Sequence, residues 1–382
     1  MFKSVLSLTL AAALGTASFG QTTLTAIPGE AAAAKYASIS QEILRAIEKG
    51  NEYLKSKQNP EGYWAQPSYP ALTALAVTAY MRDPANQGKP VPEYIRKGYD
   101  FILKSQKEDG SIFNRGMSSY NTAVCMMALL AANKEEYAPA ILKGRAYLIK
   151  QQNHFAPDNP YNGGIGYGDK QAPPIADLSN TSLALEAIYY SQKLAKDGKY
   201  GEQPDLDWNA ATEFINRCQQ NPAVNKEPWV SNDKSQLGGF VYRPGVSSAR
   251  DKKSAAFDKA EPPKAYGSMT YAGMQSLIYA NVDKNDPRVK LALKWLENSY
   301  SLDENPGMGV QGLYYYYQAM SKALSAMGID TLTLENGRKV DWRDELANKL
   351  ISIQKSDGSW VNTNNRWWEA DPVLVTSYCM LA

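Results

Sequence analysis

The chain has 382 residues, with 41 Lys and Arg against 39 Asp and Glu, a formal net charge of +2, one histidine and three cysteines. Near neutrality removes the electrostatic case for a nucleic-acid partner, and a single histidine, His154, all but excludes a histidine-based metal site. Cys125, Cys218 and Cys379 are too few, and odd in number, for a disulfide framework. Each sits in an apolar stretch that reads as buried core.

In chain order, the first element is a leader. Lys3 precedes an apolar run over 5–14, and Ser18 and Gly20 stand at positions −3 and −1 of a cleavage before Gln21. That pattern predicts a signal peptide over residues 1–20, too short to span a bilayer, and an exported protein, periplasmic or secreted. No later stretch is long and apolar enough for a transmembrane anchor after cleavage. Residues 21–40 read as a polar, Ala-rich lead-in, and 41–382 as a single large domain.

That domain is built on a repeat. The first copy reads Lys49-Gly50, Tyr53, Leu54, Gln58, Gly62, Trp64. The second has Lys97-Gly98, Phe101, Ile102, Gln106, Gly110, Phe113, and the third Lys143-Gly144, Tyr147, Leu148, Gln152, Gly163-Gly164. Phe214, Ile215, Gln219 and Gly238-Gly239 form a fourth. Trp295, Leu296 and Gly307 form a degraded fifth, with Tyr300 where Gln is expected. Leu350, Gln354, Gly358 and Trp360 form the sixth.

Each copy ends an amphipathic helix, as over 91–106, where apolar residues follow one stripe and charges the other. After each glycine turn comes a second kind of helix, predicted over 70–81, 119–132, 177–192, 266–280, 312–327 and 371–382. These stretches carry small and apolar residues on all sides and almost no charge, so they are predicted to be buried all round. Six amphipathic helices alternating with six buried ones predict an all-α fold, an (α/α)6 toroid in which the buried six form the inner ring. Helix 371–382 is expected beside helix 70–81.

The repeated phrase resembles the QW motif of squalene–hopene and oxidosqualene cyclases, and the related repeats of protein prenyltransferase β subunits, over essentially all of 41–382. The resemblance implies that Gln58, Gln106, Gln152, Gln219 and Gln354, with Trp64 and Trp360, are structural residues tying neighbouring repeats together. The catalytic pattern is not matched. The cyclases' Asp-x-Asp-Asp acid motif does not occur; Asp205-Leu206-Asp207 is nearest and reads as a helix cap. The zinc ligands of the prenyltransferases are also missing, so no metal and no cofactor are expected.

All outer-to-inner turns fall on one rim, including the long loops 153–176 and 220–265, which places a ligand mouth there. The partner expected is a small apolar or carbohydrate ligand; the alternatives are a non-catalytic interaction scaffold and an extracytoplasmic polysaccharide-active enzyme. Candidate ligand-binding residues are Asp177 and Asn180, three apart on one face of inner helix three; Tyr266 and Tyr271 on inner helix four; and Trp367 and Trp368 before inner helix six. The run Tyr314 to Tyr317 turns about 100° per residue, so at least one must face the lumen, with Tyr314 and Tyr317 as the candidates. Asp177, otherwise an N-cap, is the only candidate catalytic group. Glu186 lies too far round the same helix to pair with it.

Overall fold

The computed structural model describes residues 37–168, 175–249 and 262–382. The leader at 1–20 and the lead-in up to 36 lie outside the described residues, as do 169–174 and 250–261 of the two long loops.

Among the described residues the chain forms twelve α-helices that alternate in character. The odd-numbered set is α1 (Ala37–Ser56), α3 (Glu93–Lys104), α5 (Ala138–Lys150), α7 (Trp208–Cys218), α9 (Pro287–Asn298) and α11 (Trp342–Ile353). The even-numbered set is α2 (Pro70–Arg82), α4 (Ser118–Ala132), α6 (Leu178–Lys196), α8 (Gly267–Tyr279), α10 (Leu313–Met327) and α12 (Pro372–Leu381). In α3 the buried residues are Ile95, Gly98, Tyr99 and Ile102, the spacing of a single stripe. In α2 every residue from Pro70 to Ala79 is buried. The even-numbered helices pack in a cycle: α2 on α4, α4 on α6, α6 on α8, α8 on α10, α10 on α12, and α12 back on α2. Outside them, α3 lies on α2, α5 on α4 and α6, α7 and α9 on α8, α1 on α12, and α11 reaches α1. Cys125, Cys218 and Cys379 are buried and free.

The repeated residues explain the regularity. Each glutamine donates twice, to the glycine carbonyl of its own turn and to a carbonyl of the next repeat. Gln58 Nε2 reaches Gly62 O at 2.9 Å and Tyr94 O at 2.7 Å. Gln106 joins Gly110 and Ala140, Gln152 joins Gly163 and Asp207, and Gln219 joins Gly238 and Arg288. Gln354 donates to Gly358 O and, at 2.9 Å, to Ala46 O on α1, linking the last repeat to the first. The fifth repeat keeps the link by other means: the Tyr300 hydroxyl donates to Glu345 Oε2 on α11 at 3.1 Å.

The turn glycine rests on the backbone of the next repeat. Gly62 has φ +94°, and a methyl added there would lie 2.5 Å from the Lys97 carbonyl oxygen, so only glycine fits. Two residues on, a buried apolar side chain fills the space behind the turn: Trp64, Ile112, Ile165, Phe240 and Trp360. Their backbone N–H groups donate to a threonine in the following even-numbered helix: Thr73, Thr122, Thr181, Thr270 and Thr376. In the second copy Ile112, not Phe113, therefore occupies the tryptophan position. Phe113 is half-buried, with the Lys107 ammonium 5.8 Å from its ring centre.

Two features depart from the expected pattern. Where an all-α fold was expected, the return from α10 to α11 carries a hairpin, β1 (Thr331–Thr333) antiparallel to β2 (Lys339–Asp341), with Leu332 opposite Val340 and both buried. Its turn is closed at Asn336-Gly337, a hairpin signal present in the sequence. Asp205 and Asp207 also part company. Asp207 caps α7 by accepting from Ala210 N, whereas Asp205 pairs with the buried Arg145 at 2.8 Å.

Candidate ligand-binding cavity

A cavity lies at the centre of the helix cycle, lined by residues of α2, α4, α6, α10 and α12. It holds about 580 Å³ of empty space, counting its open mouth, of which about 50 Å³ is wide enough to centre a water molecule. The space is thus narrow.

Its walls change along the helix axes. Nearest the N-terminal ends are Tyr120, in the first turn of α4, and Tyr315, in the first turn of α10. Tyr378 of α12 joins them, its ring centre 6.0 Å from that of Tyr315. Burial is the main reason the hydroxyls of Tyr120 and Tyr378 are both raised above their ordinary pKa, and each hydroxyl also feels the other. Leu75, Val124 and Leu183 form an aliphatic middle. The far end carries the charges: Arg82 on α2, Glu186 on α6 and Lys322 on α10. Tyr315 and Lys322 are seven residues apart, so the tyrosine and charged levels are separated by roughly 10 Å at the α-helical rise. Lys322 Nζ lies 2.5 Å from Glu186 Oε2, and the glutamate is almost fully enclosed. Since α6 and α10 flank α8 in the cycle, this ion pair spans the face of α8.

The N-terminal rim is built from the long loops. Tyr167 O accepts from Ser119 N at 3.0 Å, and Tyr242 O accepts from Leu178 N at 2.8 Å, pinning the loops to the starts of α4 and α6. Beneath them Asp177 caps α6. Its carboxylate accepts from Asn180 N at 2.9 Å and from Asn180 Nδ2 at 2.8 Å. Burial pushes its pKa up to about 6, against the opposing pull of those hydrogen bonds, one from Tyr242, and the charge of Arg243. Asn180 Oδ1 is buried without a hydrogen-bond partner.

The sequence candidates do not line this cavity. Asp177, Asn180 and Tyr266 are buried in the rim, and none of the eight candidates is among the residues lining the cavity. Of the four consecutive tyrosines, Tyr315 alone lines it. The others turn outward because their hydroxyls bond to backbone carbonyls between the helix layers: Tyr314 to Val361 O, Tyr316 to Ser301 O and Tyr317 to Leu302 O. Tyr271 packs on Tyr316 with ring centres 5.7 Å apart, also away from the cavity.

Trp367 and Trp368 sit on the rim and are the two most exposed tryptophans, at 46% and 40%. Both adopt positive φ, at 56° and 65°, an uncommon and strained backbone for tryptophan. Glu369, buried and not foreseen, holds this turn in place by accepting from Tyr315 N at 2.8 Å and Asn362 Nδ2 at 2.7 Å. The Trp368 ring packs on that of Tyr69 at a tilt of 42°, with ring centres 4.7 Å apart. Among the described residues no cluster of His, Cys, Asp and Glu is arranged to hold a metal ion, and no helix is long and apolar enough to cross a membrane.

No family model matches the chain. Among solved structures it is similar to the protein geranylgeranyltransferase-I of Candida albicans, complexed with GGPP, at 14% identity over 88% of this chain and 89% of that one, with a TM-score of 0.53. It is also similar to the type II terpene cyclase MstE from Scytonema in its apo form, at 11% identity over 89% of this chain and 96% of that one, TM-score 0.50. A variant of that cyclase in complex with geranylgeranyl dihydroxybenzoate gives 10% identity at the same coverage and TM-score. At such identities the likeness is one of architecture, and this chain has a helical fold of the kind seen in a type II terpene cyclase and a protein prenyltransferase.

Proposed function

We propose that the chain is an (α/α)6 toroid, exported by its leader, whose lumen holds a single-chain apolar ligand of isoprenoid type. The observation that carries this reading is the narrow central cavity, walled by Leu75, Val124 and Leu183 and crowned by Tyr120, Tyr315 and Tyr378. Apolar walls with a few convergent polar groups are the common make-up of a small-molecule site. Narrowness favours an extended chain over a polycycle. The two solved neighbours support the ligand class, since each is described with a geranylgeranyl compound. The repeated glutamine-and-aromatic phrase reads as the QW motif of the same fold.

Two measurements test the reading. Protein recovered from outside the cytoplasm is expected to begin at Gln21; a chain starting at Met1 refutes the leader. Geranylgeraniol titrated into the purified protein is expected to bind with a stoichiometry of about one, by calorimetry. Leu183→Trp, which fills the middle of the lumen, is expected to abolish the heat. Overpacking of this kind typically costs about 1–3 kcal/mol, so a thermal melt confirms that the variant is folded. Equal binding by wild type and a folded Leu183→Trp variant rules the lumen out as the site.

A further inference from the structure

Six of the eight tryptophans are anchored through their indole nitrogens, and two are not. Trp64, Trp208, Trp229, Trp295, Trp342 and Trp360 each donate Nε1–H to an oxygen of the chain. Among the described residues, Trp367 and Trp368 donate theirs to none. They are also the two exposed tryptophans, and the two held at positive φ. Left-handed backbone suits glycine or asparagine and is unfavourable for an indole-bearing residue. Burial does not offset that strain, because both side chains stay largely in water.

The turn that presents them is nonetheless fixed. Trp368 N donates to Asn365 O at 3.1 Å, Asp371 N to Trp368 O at 2.8 Å, and Asn362 N to Glu369 O at 2.9 Å. The buried Glu369 carboxylate, bonded to Tyr315 N and Asn362 Nδ2, ties the turn to the start of α10. The Arg366 guanidinium lies 4.4 Å from the ring centre of Trp367 and donates to Gln311 Oε1. Tyr69, packed on Trp368, carries the aromatic surface to the start of α2. Strain held in a rigid turn at the surface, with no packing gain to explain it, marks a site built for a ligand.

The company the rings keep selects the ligand. A protein interface or a membrane surface would set aliphatic chains around them. In this turn the other exposed residues are Thr363, Asn365, Arg366 and Ala370, none of them a large aliphatic. A pyranose whose hydroxyls are equatorial has the matching chemistry. Its faces carry C–H bonds, which are attracted to the electron-rich face of an indole, and its hydroxyls lie round the edge. The free indole N–H groups, the guanidinium and the Asn365 amide supply partners for those hydroxyls. We propose that Trp367 and Trp368 form a stacking platform for an oligosaccharide of gluco-configured pyranoses. The platform is separate from the lumen, since neither tryptophan lines the central cavity.

Cellohexaose titrated into the purified protein is expected to bind, by calorimetry. Trp367→Asn and Trp368→Asn are each expected to weaken that binding roughly tenfold or more. Asparagine tolerates the left-handed backbone, so thermal melts are expected to show both variants folded. Leu183→Trp, which fills the lumen, is expected to bind cellohexaose as the wild type does. If the wild type does not bind cellohexaose, or if the folded double variant binds it equally well, the proposal is overturned. Loss of cellohexaose binding in Leu183→Trp overturns it too, by moving the sugar into the lumen. A third contrary result is phosphatidylcholine vesicles that bind the wild type but not the double variant while cellohexaose binds neither; the rings then belong to a membrane surface. Failure of geranylgeraniol to bind touches the lumen reading alone.

Discussion

Asp205→Ala is expected to destabilise the protein by about 3–5 kcal/mol, and Arg145→Met by less than half of that. The asymmetry follows from where the two charges sit. Arg145 projects from α5 with its side chain only 2% exposed, whereas the side chain of Asp205 is 48% exposed. The guanidinium donates to Ile188 O at 2.5 Å, to Ser191 Oγ at 3.3 Å and to Asp205 Oδ1 at 2.8 Å, bracing α5 against α6 and the segment that leads into α7. Burial lowers its pKa and Asp205 opposes that shift. Removing Asp205 strands a cation in the interior. Replacing Arg145 with methionine removes the buried charge, keeps most of the volume, and leaves a carboxylate that water can reach. What methionine loses is the bonding of Ile188 O and Ser191 Oγ, about 1–2 kcal/mol. Urea unfolding of the two single variants and the double variant measures each cost and their coupling. Equal costs for the two single changes, or a cost below about 1 kcal/mol for Asp205→Ala, would show that the pair behaves as a surface bridge.

The architecture was legible because it is periodic, and the cavity was not because its helices are buried on every side. Gln58 and Gly62 recur at fixed spacing since the same two hydrogen bonds and the same backbone approach recur with them. In the second turn isoleucine stands in the tryptophan position, Ile112, so the aromatic Phe113 misleads by one residue and the distance from Gly110 is the better guide. A helical repeat leaves no expectation of strands, although Asn336-Gly337 announces the hairpin at 331–341. Helical phasing needs a polar face. Helix α10 shows four tyrosines in succession, and nothing in the sequence says that Tyr314, Tyr316 and Tyr317 find carbonyl acceptors outside while Tyr315 does not. The better signal was charge. On the even-numbered helices the mid-helix ionisable residues are Glu186 and Lys322, which form the ion pair across the cavity. Glu186 by itself points nowhere, whereas opposite charges at Glu186 and Lys322, on two helices otherwise uncharged in their middles, point to a shared lumen.

Asp177→Asn is expected to stabilise the protein at pH 8 and to leave it unchanged at pH 4. The carboxyl is 2% exposed, and burial raises its pKa from an ordinary 3.8 to about 6. Folding therefore favours the protonated form. The sign follows: the stability contributed by this group is fully present below about pH 4 and is lost as pH rises through 6, because above that value an ionised carboxylate must be kept out of water. A shift of that size corresponds to roughly 3 kcal/mol at most. Asparagine is as good an N-cap as aspartate, so the bond from Asn180 N survives. A half-turn of the Asn180 amide presents the oxygen that now lacks a partner to the new amide donor. The rearranged amide replaces one hydrogen bond by another, so the variant differs little at pH 4 and gains at most roughly 3 kcal/mol at pH 8. Urea midpoints for both proteins from pH 4 to 8 should coincide at the acid end, diverge between about pH 4 and 6, and stay a constant distance apart above that. Parallel curves would show that Asp177 does not titrate in this range. The same variant decides what the carboxylate is for. A residue that weakens its own fold at neutral pH, set beneath Tyr167 and Tyr242 at the rim, fits the usual trade of stability for function. On that account the more stable Asp177→Asn protein should bind geranylgeraniol less well than wild type. A variant that gains stability and binds equally well would reduce Asp177 to a helix cap.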